Sequence, residues 1–151
     1  MTISIIEYRP PRIAILLVAI ATLVHVLTRA NATQFFSSTI VASTLAIGGF
    51  AIMMIAWWQF KRHRVALCPM AKTTSLITNG IYRVTRNPMY LGITMMLTAL
   101  AVWVGTLPFY AAAVAFFGII QVYFCPFEEA KLRRNFGRPF AEYADSVRRW
   151  I

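Results

Sequence analysis

The sequence predicts an all-α integral membrane protein. About four transmembrane helices are expected, with a long polar loop on one membrane face and a C-terminal amphipathic helix on the same face. Three observations lead there. Hydrophobic residues make up 59% of the 151 residues, with a mean hydropathy of +0.63, more apolar than an ordinary soluble domain. The apolar residues gather into four runs separated by turn and basic signals. The lysines and arginines stand beside those runs, as they do in polytopic membrane proteins. A chain of this length forms one domain at most, here residues 1–151.

The first run covers about 13–28, between Arg12 and Arg29. At about 1.5 Å per residue it is short for a hydrocarbon core of roughly 30 Å, and snorkelling arginines extend it. Its basic start and the following Ala30-Asn31-Ala32 also imitate a cleavable signal peptide; the expectation is an uncleaved anchor. His25 lies inside this run. A polar residue there either marks function or packs against a neighbouring helix through one hydrogen bond, and packing is the expectation. The second run covers about 39–60. Its Gly48-Gly49 allows close helix approach. Trp57 and Trp58, then Lys61-Arg62-His63-Arg64, form an interfacial belt and a basic edge.

Residues 61–87 are polar or mixed, too long a stretch to be an ordinary connection. The third and fourth runs cover about 88–104 and 109–125. Gly105-Thr106-Leu107-Pro108 joins them so tightly that they must be antiparallel neighbours. Pro126 is expected to kink or end the fourth helix. In the tail, 126–151, Phe127, Leu132 and Phe136 oppose Glu128, Glu129, Lys131, Arg133 and Arg134. Gly137 reads as a helix stop and Pro139 as the start of a last short helix. Val147-Arg148-Arg149-Trp150 reads as an interfacial anchor.

Charge sets the orientation. Of fifteen Lys and Arg, Arg29 alone falls on one side of this four-span arrangement and the other fourteen fall on the opposite side. The positive-inside rule then places both termini, the 61–87 loop and the tail in the cytoplasm, as expected for a bacterial inner membrane protein. The net charge of +10 accordingly points to anionic lipid headgroups as partners and away from nucleic acid. Cys68 and Cys125 form no CxxC pair and no His/Cys cluster, so no metal site is expected. Both read as small apolar fillers.

The densest run of turn, cap and basic signals is Leu76 to Gly92. Asn79-Gly80 marks a turn. Asn87-Pro88 reads as a helix start, with Asn87 as N-cap and Pro88 at the first helical position. Arg83 and Arg86 place positive charge ahead of that helix N-terminus, a combination suited to an anionic or carboxylate-bearing small molecule. Because the third and fourth helices form a hairpin, their ends at Pro88 and Pro126 should be close. Glu128-Glu129 can then approach Arg86 to Tyr90 as the carboxylate half of a pocket. The alternative is that both glutamates form surface ion pairs with Lys131 or Arg133.

Gly80-Ile81-Tyr82 and Arg86-Asn87-Pro88-Met89-Tyr90-Leu91-Gly92 resemble the cofactor motif of the isoprenylcysteine carboxyl methyltransferase and phospholipid methyltransferase superfamily. The tail, Glu128-Glu129-Ala130-Lys131-Leu132 through Phe136-Gly137 and Tyr143 to Arg149-Trp150, is similar to its second motif. The resemblance spans about 65–150, with both motifs in order around a helical hairpin. It implies S-adenosylmethionine as methyl donor, held at the cytoplasmic membrane surface. The matching motif positions are Thr74, Ser75, Leu76, Ile77, Tyr82, Asn87, Pro88, Met89, Tyr90 and Glu128. In this reading Glu128 takes ribose hydroxyls or the methionine ammonium. Backbone N–H groups at the third helix, with Arg83 or Arg86, take the carboxylate, and Leu76, Ile77 and Tyr82 cover the adenine. Arg86, Tyr90 and Glu129 are the expected catalytic groups, Tyr90 or Glu129 serving as proton acceptor for an amine.

Two positions depart from the pattern. Asn87 stands where prenylcysteine enzymes carry His, and Phe124 stands where they carry an Arg facing the acceptor carboxylate. The expected acceptor is therefore a neutral hydrophobic molecule or a lipid, entering from the bilayer between the helices. Two other readings predict different behaviour. A non-catalytic four-helix membrane protein, such as an exporter or assembly partner, predicts no cofactor affinity and flux dependent on His25. A related reductase predicts nicotinamide-nucleotide binding.

Overall fold

The computed structural model describes residues 10–28, 34–62 and 76–151. Thr74 and Ser75, Cys68, the Ala30-Asn31-Ala32 segment and the rest of residues 63–75 of the central loop lie outside the described residues. Within them the protein is helical: α1 (Pro10–Thr28), α2 (Thr39–Arg62), a 3-10 turn (Gly80–Arg83), α3 (Pro88–Val104), α4 (Leu107–Ile119), a π turn (Ile120–Phe124), α5 (Cys125–Phe136) and α6 (Arg138–Ser146). Three of these are long and apolar enough to cross a membrane: α1, α2 and the continuous rod of α4, π turn and α5. α3 is apolar but only 17 residues long, about 25 Å of helix. The chain is an integral membrane protein. Its large exposed side chains, Ile15, Leu16, Ile40, Ile47, Val114 and Val122 among them, are those a bilayer would cover.

α2 packs most extensively on α3, and α4 packs on both α1 and α3. The α2–α3 crossing is set by two glycines facing each other. A Cβ on Gly49 would lie 2.8 Å from the Gly92 carbonyl oxygen, and one on Gly92 would lie 2.6 Å from the Gly49 carbonyl oxygen. Without side chains there, the backbones approach closely and gain dispersion contact, the main attraction between helices in lipid. Gly105 closes the α3–α4 hairpin. On that side Phe35 N–H donates to the Gly105 carbonyl at 2.7 Å. His25 packs there as expected, its Nδ1 3.2 Å from Thr106 Oγ1 and its ring edge-on to Phe109 at 5.9 Å.

The opposite ends of the helices carry the loop and tail, and here two expectations need correction. Pro126 does not end the fourth helix. The π turn before it widens the helix, with Cys125 N–H donating to the carbonyl of Ile120. That local widening makes room for a ring that would otherwise strike the preceding turn. Glu128 and Glu129 therefore ride on the same rod as α4. Asn87 occupies the N-cap position but caps nothing with its side chain; its amide donates to the Arg149 carbonyl at 3.2 Å. Trp150 folds back onto the fourth helix. Its Nε1 donates to Gln121 Oε1 at 2.8 Å, and its ring meets Phe117 at 4.9 Å.

Candidate active site

The site forms where α3 begins, α5 begins and the last residues of the chain fold back. Pro88 stands in the first turn of α3, where its missing N–H has no helical partner to lose. Tyr90 follows, buried on the face toward α4 and α5. Its hydroxyl donates to Glu128 Oε1 at 2.6 Å, a short charge-assisted bond. This bond joins the two sequence motifs across 38 positions. Phe124, fully buried, packs beside the pair, its ring 6.4 Å from that of Tyr90.

Glu128 lies three residues past the apolar run of 109–125 that the sequence expects to span the bilayer. Burial pushes its carboxyl up to about 6, against the pull of the Tyr90 hydrogen bond and of Lys131, with Glu129 adding to the rise. It is ionised at neutral pH and has acceptor capacity left over beside Tyr90. Glu129 points elsewhere. The Arg149 guanidinium holds it in a two-pronged grip, Nε to Oε1 at 2.9 Å and Nη2 to Oε2 at 2.7 Å. Arg86 Nη2 approaches the same carboxylate at 3.3 Å. Glu129 is thus held by arginines distant in sequence and not by the i+4 Arg133 that helical spacing offered, while the charge of Lys131 acts on Glu128. Hydrogen bonding to Glu129 holds the Arg149 guanidinium even more firmly charged than usual.

The chain end works as a strap over the 85–87 segment. Arg86 N–H donates to the Arg148 carbonyl at 3.1 Å. Thr85 Oγ1 donates to the Arg149 carbonyl at 3.0 Å, which also receives the Asn87 amide. Thr85 Oγ1 in turn accepts the Asn87 N–H at 3.2 Å. Of the two arginines expected near the α3 N-terminus, Arg86 is drawn into this cluster and Arg83 is exposed.

Beside the strap lies a second apolar cluster. Ile77, Tyr82, Phe140 and Tyr143 are buried in it, with Leu76, Met89 and Phe60 packed against them. Leu76, Ile77, Tyr82 and Met89 are thus brought together, while Thr74 and Ser75 lie outside the described residues. Tyr143 donates to the Tyr82 carbonyl at 2.7 Å. Burial raises its phenol to about 12, with the nearby Arg86 opposing, so the bond persists at physiological pH. Burial pushes the Tyr82 phenol well above its usual range too. Sequence reasoning left Phe140 and Gln59 without roles, and named Tyr143 and Arg149 only within the tail motif and, for Arg149, the interfacial anchor. The Phe140/Tyr143 spacing of three on one helical face was a readable signal; Arg149 and Gln59 offered none.

Fold and site together define a helical membrane protein with a carboxylate–phenol pair at one mouth of its helices and a basic strap behind it. The sequence model of the phospholipid methyltransferase family matches residues 37–139, a span that includes Tyr82, Tyr90, Glu128 and Glu129. The chain belongs to that family, and is therefore a membrane methyltransferase. No curated protein and no solved structure matches it.

Proposed function

We propose that the protein transfers a methyl group from S-adenosylmethionine to a lipid or another hydrophobic acceptor, at the cytoplasmic face of a bacterial inner membrane, with residues 1–151 acting as one methyltransferase domain. The observation that carries this is the Tyr90–Glu128 bond, which joins a helix N-terminus to an ionised carboxylate with spare acceptor capacity. The residues present suit the cofactor. Glu128 would accept from ribose hydroxyls or the methionine ammonium. Arg86, whose buried Nε has no partner among the described residues, would take the methionine carboxylate together with N–H groups at the start of α3. Leu76, Ile77, Tyr82 and Met89 would cover the adenine, with Asn87 and Pro88 shaping the backbone beside it; Thr74 and Ser75 belong to the same proposed set.

When bound, S-adenosylmethionine supplies a sulfonium-bound methyl group that transfers by in-line displacement and leaves a neutral thioether. The protein's own work is alignment and exclusion of water. In this reading Phe124 and Tyr90 wall the site on the membrane side, which favours an acceptor delivered by the bilayer. The apolar Phe124 offers no charge for an acceptor carboxylate, which disfavours prenylcysteine. For an amine acceptor, Tyr90 would take the proton while passing its own to Glu128, to which it already donates, whereas Glu129 has both oxygens bound by Arg149. Arg86 and Glu129 then act by holding charge in place. The cytoplasmic assignment rests on the lysine and arginine distribution.

Isothermal titration of the purified protein in detergent tests this reading. Saturable binding of S-adenosylmethionine is expected, weakened roughly tenfold by Tyr90→Phe and more by Glu128→Ala, since a hydrogen bond to a charged group is worth about 1.5–3 kcal/mol. Absence of saturable binding, or wild-type affinity in both variants, would overturn it. Transfer of labelled methyl into a membrane extract would identify the acceptor.

A further inference from the structure

Besides Arg86 Nε, two buried polar atoms find no hydrogen-bond partner among the described residues: Gln59 Oε1 and Tyr82 Oη. Native structures seldom leave such atoms unpaired, and each one asks for a ligand or water to complete it. These two are neighbours in the fold. Gln59 sits in the last turn of α2, and its amide lies against Gly80, where a Cβ would overlap it. Gly80 adopts a left-handed φ of 58°, which favours glycine, and a Cβ there would displace the Gln59 amide from its present seat. Tyr82 follows two residues later and is 6% exposed. Its ring meets Phe60, the neighbour of Gln59, edge-to-face at 5.8 Å. Tyr82 thus belongs to the apolar wall with Ile77 and Phe60, and the Gln59 amide adjoins that segment at Gly80.

Their hydrogen-bonding characters differ. An amide oxygen only accepts. The Tyr82 phenol stays protonated, since burial holds it so, and it can donate. An acceptor at Gln59 and a donor at Tyr82, two residues from the Gly80 that Gln59 lies against, match in kind the amino edge of adenine, where an N–H donor adjoins a ring nitrogen acceptor. Hypoxanthine carries an oxygen acceptor in place of that amino donor, so it would set two acceptors against each other at Gln59. We infer that Gln59 and Tyr82 read the base of the methyl donor, Gln59 Oε1 accepting from the adenine amino group and Tyr82 Oη donating to a ring nitrogen. The inference rests on the proposed S-adenosylmethionine site and adds to it a specificity residue on α2, outside both motifs.

The test is titration of the full-length protein in detergent with S-adenosylhomocysteine and with its deaminated inosine analogue. Wild type is expected to prefer the adenine form by roughly tenfold or more, the discrimination a matched base edge provides. Gln59→Leu should bind the two forms about equally. Gln59→Glu, which keeps an acceptor, should keep the preference and controls for misfolding of the leucine variant. Tyr82→Phe, which retains the ring packing, should weaken adenine binding. An undiminished preference in Gln59→Leu, or a wild type that binds both forms alike while still depending on Glu128, overturns this inference and leaves the methyl-donor reading standing. Failure of wild type to bind either form overturns both.

Discussion

Burial raises the Glu128 carboxyl while the Tyr90 hydroxyl, bound at 2.6 Å, pulls it back. The balance near 6 gives a pH signature. In the role proposed for Glu128 the ionised carboxylate is the form that would accept from S-adenosylmethionine, so affinity should be constant above neutrality and fall as pH drops through about 6. Well below that value the loss approaches about tenfold per pH unit, as one pKa unit is 1.36 kcal/mol. Titration calorimetry at pH 5.0–7.5 would measure it, and Glu128→Gln should bind weakly with no such slope. A wild-type affinity that stays flat across this range contradicts the role given to Glu128. At this scale the sequence was informative about residue type and silent about role. It put Glu128 and Glu129 side by side, yet one meets a tyrosine and the other two arginines. That division depends on which face of α5 looks toward α3, and on a chain end 20 residues away.

α2 and α3 owe their register to Gly49 and Gly92. Each glycine's absent Cβ leaves space for the other's carbonyl, and backbone cannot step aside as a flexible side chain does. Gly92→Val should therefore separate the helices and lower the midpoint of thermal unfolding in detergent, at a cost of roughly 1–3 kcal/mol or more. Because α3 carries Tyr90 in its first turn, cofactor affinity should fall with it. A variant with unchanged melting and binding would show that this crossing does not position the site. The small-residue pattern at 48–49 was readable in the sequence, and so were the four apolar runs and the tight turn at Gly105. The continuity of the α4–α5 rod was not. Proline rules predict a break at Pro126, and only the π turn, whose bonds shift by one residue, lets the helix run on.

Across the whole molecule the last four residues tie the tail to the loop. Arg148 and Arg149 offer carbonyls to Arg86, Thr85 and Asn87, the Arg149 guanidinium grips Glu129, and Trp150 pins the end to Gln121. Deleting 148–151 should leave α1–α4 packed while loosening the start of α3. Hydrogen exchange should rise over 80–90 and stay unchanged in α2, with cofactor affinity reduced roughly tenfold from the lost charged and backbone bonds. Unaltered exchange over 80–90 would mean that the strap is ornamental.

Hydropathy, turn chemistry and charge asymmetry act locally or along one helix, so they are legible in one dimension. The sequence by itself thus determined the membrane spans, the hairpin and the two motifs at its mouth. The partners of Glu129, the choice of Arg86 over Arg83, the fold-back of Trp150 and the seating of Gln59 against Gly80 were decided only by the tertiary structure. Each joins positions about 20 to 60 apart that share no period and no local rule, and such contacts exist only once α2, α3 and α5 are packed together.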